Sequence, residues 1–272
     1  MKTDNTDMKK IAILGGGNIG TAMALGLVDY AGWAPENIFV TRRTTDRLAM
    51  LAEKGIITGS DNKEAVHSAD IIILAVRPRQ LKELISEITT EIDVNRHIIG
   101  SVITSYALED ILKIFGIPVK LVRIMPNTAI AIGESMTCVA ADGENADALG
   151  IIKSIFDRLG TALVIEEGLM SAATILCACG IAFFLRSIRA VSQGGIQVGF
   201  HADEAQLIAS QTARGAASLL LGYGNHPEDE IDKVTTPRGC TIAGLNEMEH
   251  NGLSSALIKG IVKSYDEIAK LK

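Results

Sequence analysis

The fold of this chain is decided by the stretch Lys10-Ile11-Ala12-Ile13-Leu14-Gly15-Gly16-Gly17-Asn18-Ile19-Gly20. A short apolar run leads into a Gly-x-Gly-x-x-Gly pattern, and a helical pattern follows it. The first glycine allows a tight turn, the second lets the backbone approach a pyrophosphate, and the third lets the helix pack on the strand. The first N–H groups of the helix can then bind phosphate. This strand–turn–helix context favours a dinucleotide-binding turn over a glycine-rich turn without a ligand. The predicted cofactor-binding residues here are Gly15, Gly17, Asn18, Ile19 and Gly20.

The end of the next strand indicates which dinucleotide binds. It follows the glycine turn by about 20 residues and reads Thr41-Arg42-Arg43-Thr44. NAD-binding chains usually place a carboxylate here for the ribose 2′-hydroxyl, whereas guanidinium groups can pair with a 2′-phosphate. The sequence therefore predicts NADP(H), with NAD(H) less favoured, and adds Thr41, Arg42 and Arg43 to the cofactor-binding residues. The alternative is that one or both arginines are only surface charges.

Residues 1–166 alternate short apolar runs with helical patterns. Runs such as Ile71-Ile72-Ile73 are typical of strands that are buried on both faces of a parallel sheet. Strands are predicted at Ile11–Leu14, Ile38–Val40, Ile56–Thr58, Ile71–Val76, Ile98–Ile103, Val119–Ile124, Thr137–Ala140 and Ala162–Ile165. Helices are predicted at Gly17–Tyr30, Thr45–Glu53, Pro78–Thr89, Leu108–Phe115 and Asn145–Leu159. This alternation predicts an α/β fold whose N-terminal domain is a Rossmann-type, doubly wound sheet that binds NADP.

Residues 167–272 lack strand patterns and are predicted to form an all-helical domain. The helices are predicted at Leu169–Gln193, Asp203–Leu221, Pro227–Val234, Thr241–His250 and Leu253–Leu271. Asp203 precedes a long apolar periodic run and is a candidate N-cap. Frequent small residues, such as Ala209 and Gly215, suit close packing between helices or between subunits. Apolar residues form 47% of the 272 residues, which is enough material for two cores.

Charge and hydropathy argue against two classes of partner. The net charge is −6 and no Lys/Arg-rich block occurs, so a nucleic-acid partner is not expected. Met1–Lys10 is polar and lacks the apolar segment of a signal peptide. The run Leu169–Leu185 falls short of the ~20 apolar residues of a membrane span, and Arg186 and Arg189 follow it. We therefore expect a buried or interfacial helix, no membrane partner and a cytoplasmic protein.

Two further segments are predicted to line the site. Ala75-Val76-Arg77-Pro78 closes the fourth predicted strand. Ligands bind at the carboxyl ends of strands in open sheets, so this segment is predicted to flank the nicotinamide, unless it is an ordinary strand–helix turn. The late loop Thr236–Thr241 leads into a helix, whose N–H groups together with the Thr241 hydroxyl could hold a carboxylate. Thr241 alone is equally well explained as a helix cap.

Several kinds of catalytic chemistry have no counterpart in the sequence. Neither Tyr-x-x-x-Lys nor Lys-x-x-x-Asn occurs, the five histidines are scattered, and no metal-ligand spacing is present. The four cysteines, at positions 138, 177, 179 and 240, lack a zinc spacing and are expected to be free thiols in a reducing cytosol. A reductase without an obvious acid or base suits a protonated imine, which already carries its proton and needs only to be aligned with the nicotinamide.

Several segments spread along the chain resemble one family. They are Ile13-Leu14-Gly15-Gly16-Gly17-Asn18-Ile19-Gly20, Asn62-Lys63-Glu64-Ala65-Val66, Asp70-Ile71-Ile72-Ile73-Leu74-Ala75-Val76-Arg77-Pro78, Val122-Arg123-Ile124-Met125-Pro126-Asn127-Thr128 and Thr235-Thr236-Pro237-Arg238-Gly239-Cys240-Thr241-Ile242-Ala243-Gly244-Leu245. On these segments the chain resembles the pyrroline-5-carboxylate reductases. The combination of Arg-x-Met-Pro-Asn-Thr with the late Thr-Ile-Ala-Gly-Leu is the specific part, whereas the glycine turn is common to many enzymes.

The resemblance implies NADPH-dependent reduction of 1-pyrroline-5-carboxylate to L-proline, the last step of proline biosynthesis. It implies a homodimer that can form a larger ring, with residues 167–272 as a dimerisation and substrate domain. It implies that Thr241 is the catalytic residue, near the ring nitrogen. The substrate-binding residues that it implies are Thr236, Arg238, Gly239, Cys240 and Thr241. It places these further residues against the cofactor: Asn62, Ala75, Val76, Arg77 and Pro78.

The chain departs from the family pattern mainly on the substrate side. Cys177-Ala178-Cys179-Gly180-Ile181-Ala182-Phe183 stands where the family usually has Ser-Gly-Ser-Gly-Pro-Ala-Tyr. Loss of the proline should straighten the helix. Arg238 and Ser101 replace glycines, and Arg238 could either add a cation for the substrate or point outward. The alternatives are therefore a reductase of another small carboxylated imine, or a catalytically weak NADP-binding oligomer.

Overall fold

A computed structural model of the chain describes residues 9–269, without the side chain of Ala269. The centre of the fold is one eight-stranded sheet with the order β3-β2-β1-β4-β5-β6-β7-β8. The strands are β1 Ile11–Leu14, β2 Ile38–Thr41, β3 Ile57–Gly59, β4 Ile71–Leu74, β5 Ile98–Ser101, β6 Lys120–Met125, β7 Ser135–Ala140 and β8 Gly160–Val164. All eight predicted strands are present, and their ends shift by at most two residues.

The order of the strands predicts a ligand-binding crevice at the end of β1. Strand β1 pairs in parallel with both β2 and β4, which lead to opposite halves of the sheet. The strand order thus reverses at the carboxyl end of β1, the place where open α/β sheets bind ligands. The one antiparallel pair among the described strands is β6 with β7. Only a short 3₁₀ turn, Thr128–Ile132, lies between them, and such a connection is too short for a parallel crossover.

Helices cover both faces of the sheet and continue through the second half of the chain. They are α1 Asn18–Asp29, α2 Ala49–Glu53, α3 Asn62–Ser68, α4 Leu81–Ile88, α5 Leu108–Phe115, α6 Ala146–Asp157, α7 Met170–Ala173, α8 Gly180–Gln197, α9 Ala202–Tyr223, α10 Pro227–Val234, α11 Cys240–His250 and α12 Leu253–Ala269. The prediction missed α3, although Asp61 gave its signal: the Asp61 carboxylate accepts hydrogen bonds from the N–H groups of Lys63 and Glu64 and so caps this helix.

Alternate residues of each central strand enter opposite cores. Ile11 and Ile13 pack into the cluster beneath α1 and α6, whereas Ala12 and Leu14 pack into the cluster beneath α4 and α5. Strand β4 alternates in the same way. Because both faces are covered, a strand needs apolar residues at every position, which explains the continuous runs in the sequence. The predicted α/β class with an N-terminal doubly wound sheet is confirmed.

The helix that leaves the sheet is less regular than expected. Between α7 and α8 the segment Thr174–Cys179 forms a π-helical turn. The expectation that loss of the family's proline straightens this helix was wrong, because a π-helical turn is present without that proline; π turns of this kind often mark functional sites. The whole helical stretch Glu167–Gln197 is long and apolar enough to cross a membrane by length and composition, which is weak evidence by itself.

The second half of the chain packs helix on helix. The described chain divides into one unit that runs to Cys179 and includes residues from Glu267 on, and a second unit Gly180–Asp266. Within the second unit α8 lies against α9, and a Cβ atom at Gly195 would lie 3.1 Å from that of Ala205. The predicted N-cap, Asp203, was wrong. His201 is the N-cap, and the Glu204 carboxylate accepts its N–H, leaving Asp203 inside the first turn.

A buried ion pair ties β6 to the start of the long helix. Arg123 is 5% exposed, and its Nη1 donates to Glu167 Oε1 at 2.9 Å. Its Nη2 donates to the Thr104 carbonyl oxygen at 3.1 Å, and the same Glu167 oxygen accepts the Leu108 N–H at 2.9 Å. Burial lowers the pKa of Arg123, and the Glu167 carboxylate opposes this effect. The pair therefore holds the loop that follows β5.

Replacing Glu167 by Gln is expected to lower the free energy of unfolding by about 2 kcal/mol, because it leaves a buried guanidinium without its counter-charge. Urea unfolding of the variant measures this effect. The matched control is Glu109→Gln, which removes the carboxylate from an exposed pair with Lys113 and should leave the midpoint almost unchanged. Equal losses in both variants would contradict the structural role of the buried pair.

Candidate cofactor site and substrate loop

A cleft of about 500 Å³ opens at the carboxyl ends of β1, β2 and β4. Nine of the predicted cofactor residues line it: Gly15, Gly17, Thr41, Arg42, Arg43, Asn62, Ala75, Val76 and Arg77. Asn18, Ile19 and Gly20 form the first turn of α1 directly after the glycine turn. Pro78 begins a 3₁₀ turn and lines an adjoining groove. The structure thus brings together residues that are far apart in the sequence.

The glycine turn has the backbone that its sequence pattern predicts. Gly15 has φ +123°, and a Cβ atom there would collide with the carbonyl oxygen of Ala75 on the neighbouring strand end. A Cβ atom at Gly20 would collide with the Gly15 carbonyl oxygen. Gly17 differs from both, because no described atom lies within 4 Å of its Cβ position. The first and third glycines therefore serve the fold, while Gly17 leaves open space where a ligand can approach the backbone.

The N-terminus of α1 faces this open space without a competing anion. Gly17 is the N-cap, no side chain caps the helix, and the first turn has no acidic residue. The N–H groups of a first helical turn have no intrahelical acceptor, and the helix dipole favours an anion beside them. This terminus is consequently suited to a pyrophosphate.

A short hydrogen-bond chain fixes the end of β2 against α3. The buried Thr41 hydroxyl donates to Asn62 Oδ1 at 2.6 Å. The Asn62 amide Nδ2 in turn donates to the Glu87 carboxylate at 3.1 Å and 3.2 Å. Asn62 is the first residue of α3, so its position depends on the Asp61 cap. The chain holds the Asn62 side chain on the cleft wall.

The two arginines after β2 are held differently. Arg42 is half-buried, and its Nη1 donates to the Gly16 carbonyl oxygen, so it spans the glycine turn. Arg43 is exposed and pairs with Glu83 through Nη2 and Oε2 at 2.8 Å. Solvent screens this exposed ion pair, so an incoming phosphate can replace Glu83 at little cost. Both guanidinium groups line the cleft where a ribose 2′-phosphate would lie in a Rossmann site.

Sequence reasoning missed several residues of the cleft. These are Gly16, Thr44, Ser60, Arg79, Gln80, Glu83, Leu84 and Glu87. The signal that could have found Arg79 and Gln80 is their position in the turn after β4, next to the predicted Arg77. Four arginines in all line the cleft. Its two carboxylates are already paired, that of Glu83 with Arg43 and that of Glu87 with Asn62. The donor set and the open backbone fit a phosphorylated dinucleotide.

The predicted substrate loop is a tight turn between α10 and α11. The Gly239 N–H donates to the Thr236 carbonyl oxygen at 2.9 Å, with Pro237 and Arg238 between them. Arg238 has φ +63° and is the one described non-glycine residue with a positive φ. Proline followed by a left-handed residue is the pattern of a type II turn, whose third position favours glycine. Arg238 therefore adopts a left-handed backbone at a turn position that favours glycine.

The start of α11 has an unoccupied cap. Gly239 is the N-cap, no side chain caps it, and the first turn of α11, beginning at Cys240, has no acidic residue. The alternative that Thr241 caps the helix was wrong, because Thr241 is the second residue of α11 and not its cap. Thr236, Arg238, Cys240 and Thr241 are exposed in the single chain. This terminus presents N–H groups, a hydroxyl and a guanidinium, which suit a carboxylate.

Comparison with known proteins identifies the family. Residues 167–271 match the family model described as pyrroline-5-carboxylate reductase dimerisation. Two Dictyostelium discoideum proteins, pyrroline-5-carboxylate reductases 1 and 2, are 47% and 44% identical to the chain over 96% and 98% of its length. The chain spans 49% of the length of the first and 95% of the second. It belongs to the pyrroline-5-carboxylate reductase family.

The N-terminal half and the fold agree with this family. Residues 10–104 match a model described as NADP oxidoreductase, coenzyme F420-dependent. A solved pyrroline-5-carboxylate reductase from Coxiella burnetii superposes with a TM-score of 0.87 at 26% identity, over 97% of this chain and 98% of the other. The resemblance seen in the sequence is thus confirmed. The dimerisation match covers the C-terminal helices, which belong to a region of self-association in this reductase family.

Proposed function

We propose that the protein reduces 1-pyrroline-5-carboxylate to L-proline with NADPH. The observation that carries the proposal is the cleft beside β1, where an open glycine turn, an uncapped helix N-terminus and two arginines at the end of β2 converge. Membership of the pyrroline-5-carboxylate reductase family supports the substrate. The cytoplasmic location remains an expectation from the sequence.

The residues of the cleft would hold NADPH in an order set by the sheet. Gly17 and the α1 N-terminus would bind the pyrophosphate, with Gly15 shaping the turn beside it, and Arg42 and Arg43 would bind the 2′-phosphate. Asn62 and Ala75–Arg77 would contact the remaining parts of the dinucleotide. NADH would lack the partner for the two arginines, so it should bind less tightly.

The chemistry requires little from acid or base groups of the protein. When bound, NADPH supplies a hydride for the carbon of the substrate C=N bond. The imine nitrogen is already protonated, so no residue has to deliver a proton during that step. The loop Thr236–Thr241 would bind the substrate carboxylate through the α11 N–H groups and Arg238, and the Thr241 hydroxyl would orient the ring nitrogen.

We further infer that the active form is a homodimer. Large apolar side chains of the second unit remain uncovered in a single chain, including Phe184 at 73% and Leu221 at 87% exposure. Exposed apolar patches of this kind indicate a subunit interface, and the match to the dimerisation family covers the same residues, 167–271. The apolar helix Glu167–Gln197 is then interfacial, which explains its composition without a membrane.

Replacing Thr241 by Val should lower kcat/KM for 1-pyrroline-5-carboxylate about 10- to 100-fold, since a hydrogen bond to a charged group contributes about 1.5–3 kcal/mol. The substitution keeps the side-chain shape and removes the hydroxyl. Thr241→Ser restores the hydroxyl and should recover most of the activity. NADPH affinity should be unchanged in both variants. Full turnover by Thr241→Val would exclude Thr241 as the catalytic residue, while turnover only with another carboxylated imine would redirect the proposed substrate.

Replacing Arg238 by Gly should have two opposite effects. The free energy of unfolding should rise by up to about 1 kcal/mol, because glycine adopts the left-handed backbone without strain. The KM for 1-pyrroline-5-carboxylate should rise roughly tenfold, because a charge-assisted contact to the carboxylate is lost. Arg238→Lys keeps both the charge and the strained φ, and should change neither quantity much. An unchanged KM in Arg238→Gly would show that this side chain points away from the substrate.

A further inference from the structure

Two cysteines that are far apart in the sequence meet beneath the π-helical turn. Cys138 lies on β7 and Cys177 lies in Thr174–Cys179, and their sulfur atoms are 3.4 Å apart. Both residues are almost fully buried, at 4% and 6% exposure. Neither has a role in the proposed reduction. In its resemblance to the family, this chain has Cys177 where serine is usual.

We propose that Cys138 and Cys177 form an oxidation site that small hydroperoxides, such as hydrogen peroxide, convert to an intramolecular disulfide. A disulfide requires sulfur atoms about 2 Å apart, so the two sulfurs would have to approach each other from the observed 3.4 Å. The sulfur atoms of Cys138 and Cys177 already share a hydrogen bond. The two side chains are thus aimed at one another before any oxidant arrives.

The surroundings distinguish the two sulfurs chemically. The hydrogen bond between the two sulfurs lowers the pKa of Cys138, while the same hydrogen bond and burial raise the pKa of Cys177. The thiolate is the nucleophile in thiol oxidation, so Cys138 reacts first. Cys179 lies two residues beyond Cys177, and burial raises its pKa. Cys240 is exposed on α11, in the other unit.

The reaction balances in two steps. The Cys138 thiolate attacks one oxygen of the hydroperoxide and the O–O bond breaks, so that Cys138 becomes a sulfenic acid. The other oxygen takes up the proton that the Cys138 thiol released on ionising and leaves as an alcohol or water. The Cys177 sulfur then attacks the Cys138 sulfur, the S–O bond breaks, and the oxygen leaves as water with the Cys177 proton. The two thiols lose two electrons, and the hydroperoxide gains them.

The disulfide would fix the π-helical turn to the sheet. The Cys177 carbonyl oxygen already accepts a hydrogen bond from Asn127 Nδ2 at 3.2 Å, and Asn127 follows β6. Apolar side chains of Met125, Met170 and Ala173 pack around the sulfur pair. The disulfide to β7, together with this hydrogen bond to the residue that follows β6, would therefore fix the π-helical turn at two points.

Peroxide titration of the full-length, fully reduced protein tests this site. Samples are quenched, alkylated under denaturing conditions, digested, and mapped by mass spectrometry. We expect a disulfide between the Cys138 and Cys177 peptides that dithiothreitol reverses, with Cys179 and Cys240 still alkylated. Cys179→Ser and Cys240→Ser should keep this disulfide, whereas Cys138→Ser and Cys177→Ser should lose it. A disulfide with a different pairing would overturn the proposal. So would Cys138 and Cys177 that are still alkylated at peroxide doses that already oxidise the exposed Cys240. Both outcomes are read from the unmutated protein.

Discussion

Replacing Arg42 and Arg43 by alanine together is expected to weaken NADPH binding on the order of a hundredfold and NADH binding by much less. In the proposed site each guanidinium would donate charge-assisted hydrogen bonds to a 2′-phosphate, and one such bond contributes about 1.5–3 kcal/mol. Every 1.4 kcal/mol corresponds to about a tenfold change in affinity. Fluorescence titration of the double variant with both cofactors measures the difference. Equal losses for NADPH and NADH would reject the 2′-phosphate as the partner of these arginines.

The single variants should separate two effects that the double variant combines. Arg42 also donates to the Gly16 carbonyl oxygen, so its loss should loosen the glycine turn and weaken both cofactors, NADPH more than NADH. Arg43 has only the exposed partner Glu83 among its described contacts, so its loss should affect NADPH alone. Glu83→Gln is a useful counterpart, because it removes the competing carboxylate from Arg43. That variant should bind NADPH as well as the parent or better.

Replacing Gly15 by alanine should destabilise the protein by about 3 kcal/mol or more and abolish cofactor binding. The positive φ of Gly15 is strained for any other residue, and the new Cβ would collide with the Ala75 carbonyl oxygen. Strand ends β1 and β4 would have to separate. Thermal unfolding measures the loss, and an unchanged midpoint would contradict the close approach of these strand ends.

Gly17→Ala is the matched substitution with a different expected result. Gly17 has φ −84°, and no described atom lies within 4 Å of its Cβ position. Alanine there should leave the thermal midpoint close to that of the parent. NADPH affinity should fall about tenfold, because a methyl group would occupy space that the pyrophosphate needs. Normal affinity in a folded Gly17→Ala variant would show that the ligand does not approach this residue.

Much of the nucleotide-binding half follows from local sequence. Strand β1 and helix α5 have the predicted bounds because each has a clear apolar pattern. Helix α10 also has its predicted bounds, which follow from Pro227 at its first position and the acidic residues of its first turn. The antiparallel direction of β7 follows from the short connection Thr128–Ile132, which cannot make a parallel crossover. The apolar run of the strand itself does not reveal this direction. The missed α3 shows that a seven-residue helix can depend more on its Asp61 cap than on periodicity.

Other features arise only from tertiary structure. Two contacts join residues that are far apart in the sequence, where no helix or strand periodicity predicts a contact. They are the ion pair between Arg43 and Glu83 and the contact of Cys138 with Cys177. The π-helical turn has no sequence signature in an apolar run of small residues. Arg238 is the opposite case. The turn formed by Thr236, Pro237 and Gly239 requires a left-handed residue between them, so the neighbours determine its backbone even though its own type disfavours that conformation.

The most direct test of the proposed function is the rate of NADPH oxidation by the purified protein with 1-pyrroline-5-carboxylate, followed through the nicotinamide absorbance and repeated with NADH. The structure and the family predict rapid turnover with a clear preference for NADPH, and L-proline as the product. Tight NADPH binding without turnover of this substrate would contradict the proposed reaction. It would favour either another carboxylated imine as substrate or a non-catalytic NADP-binding role.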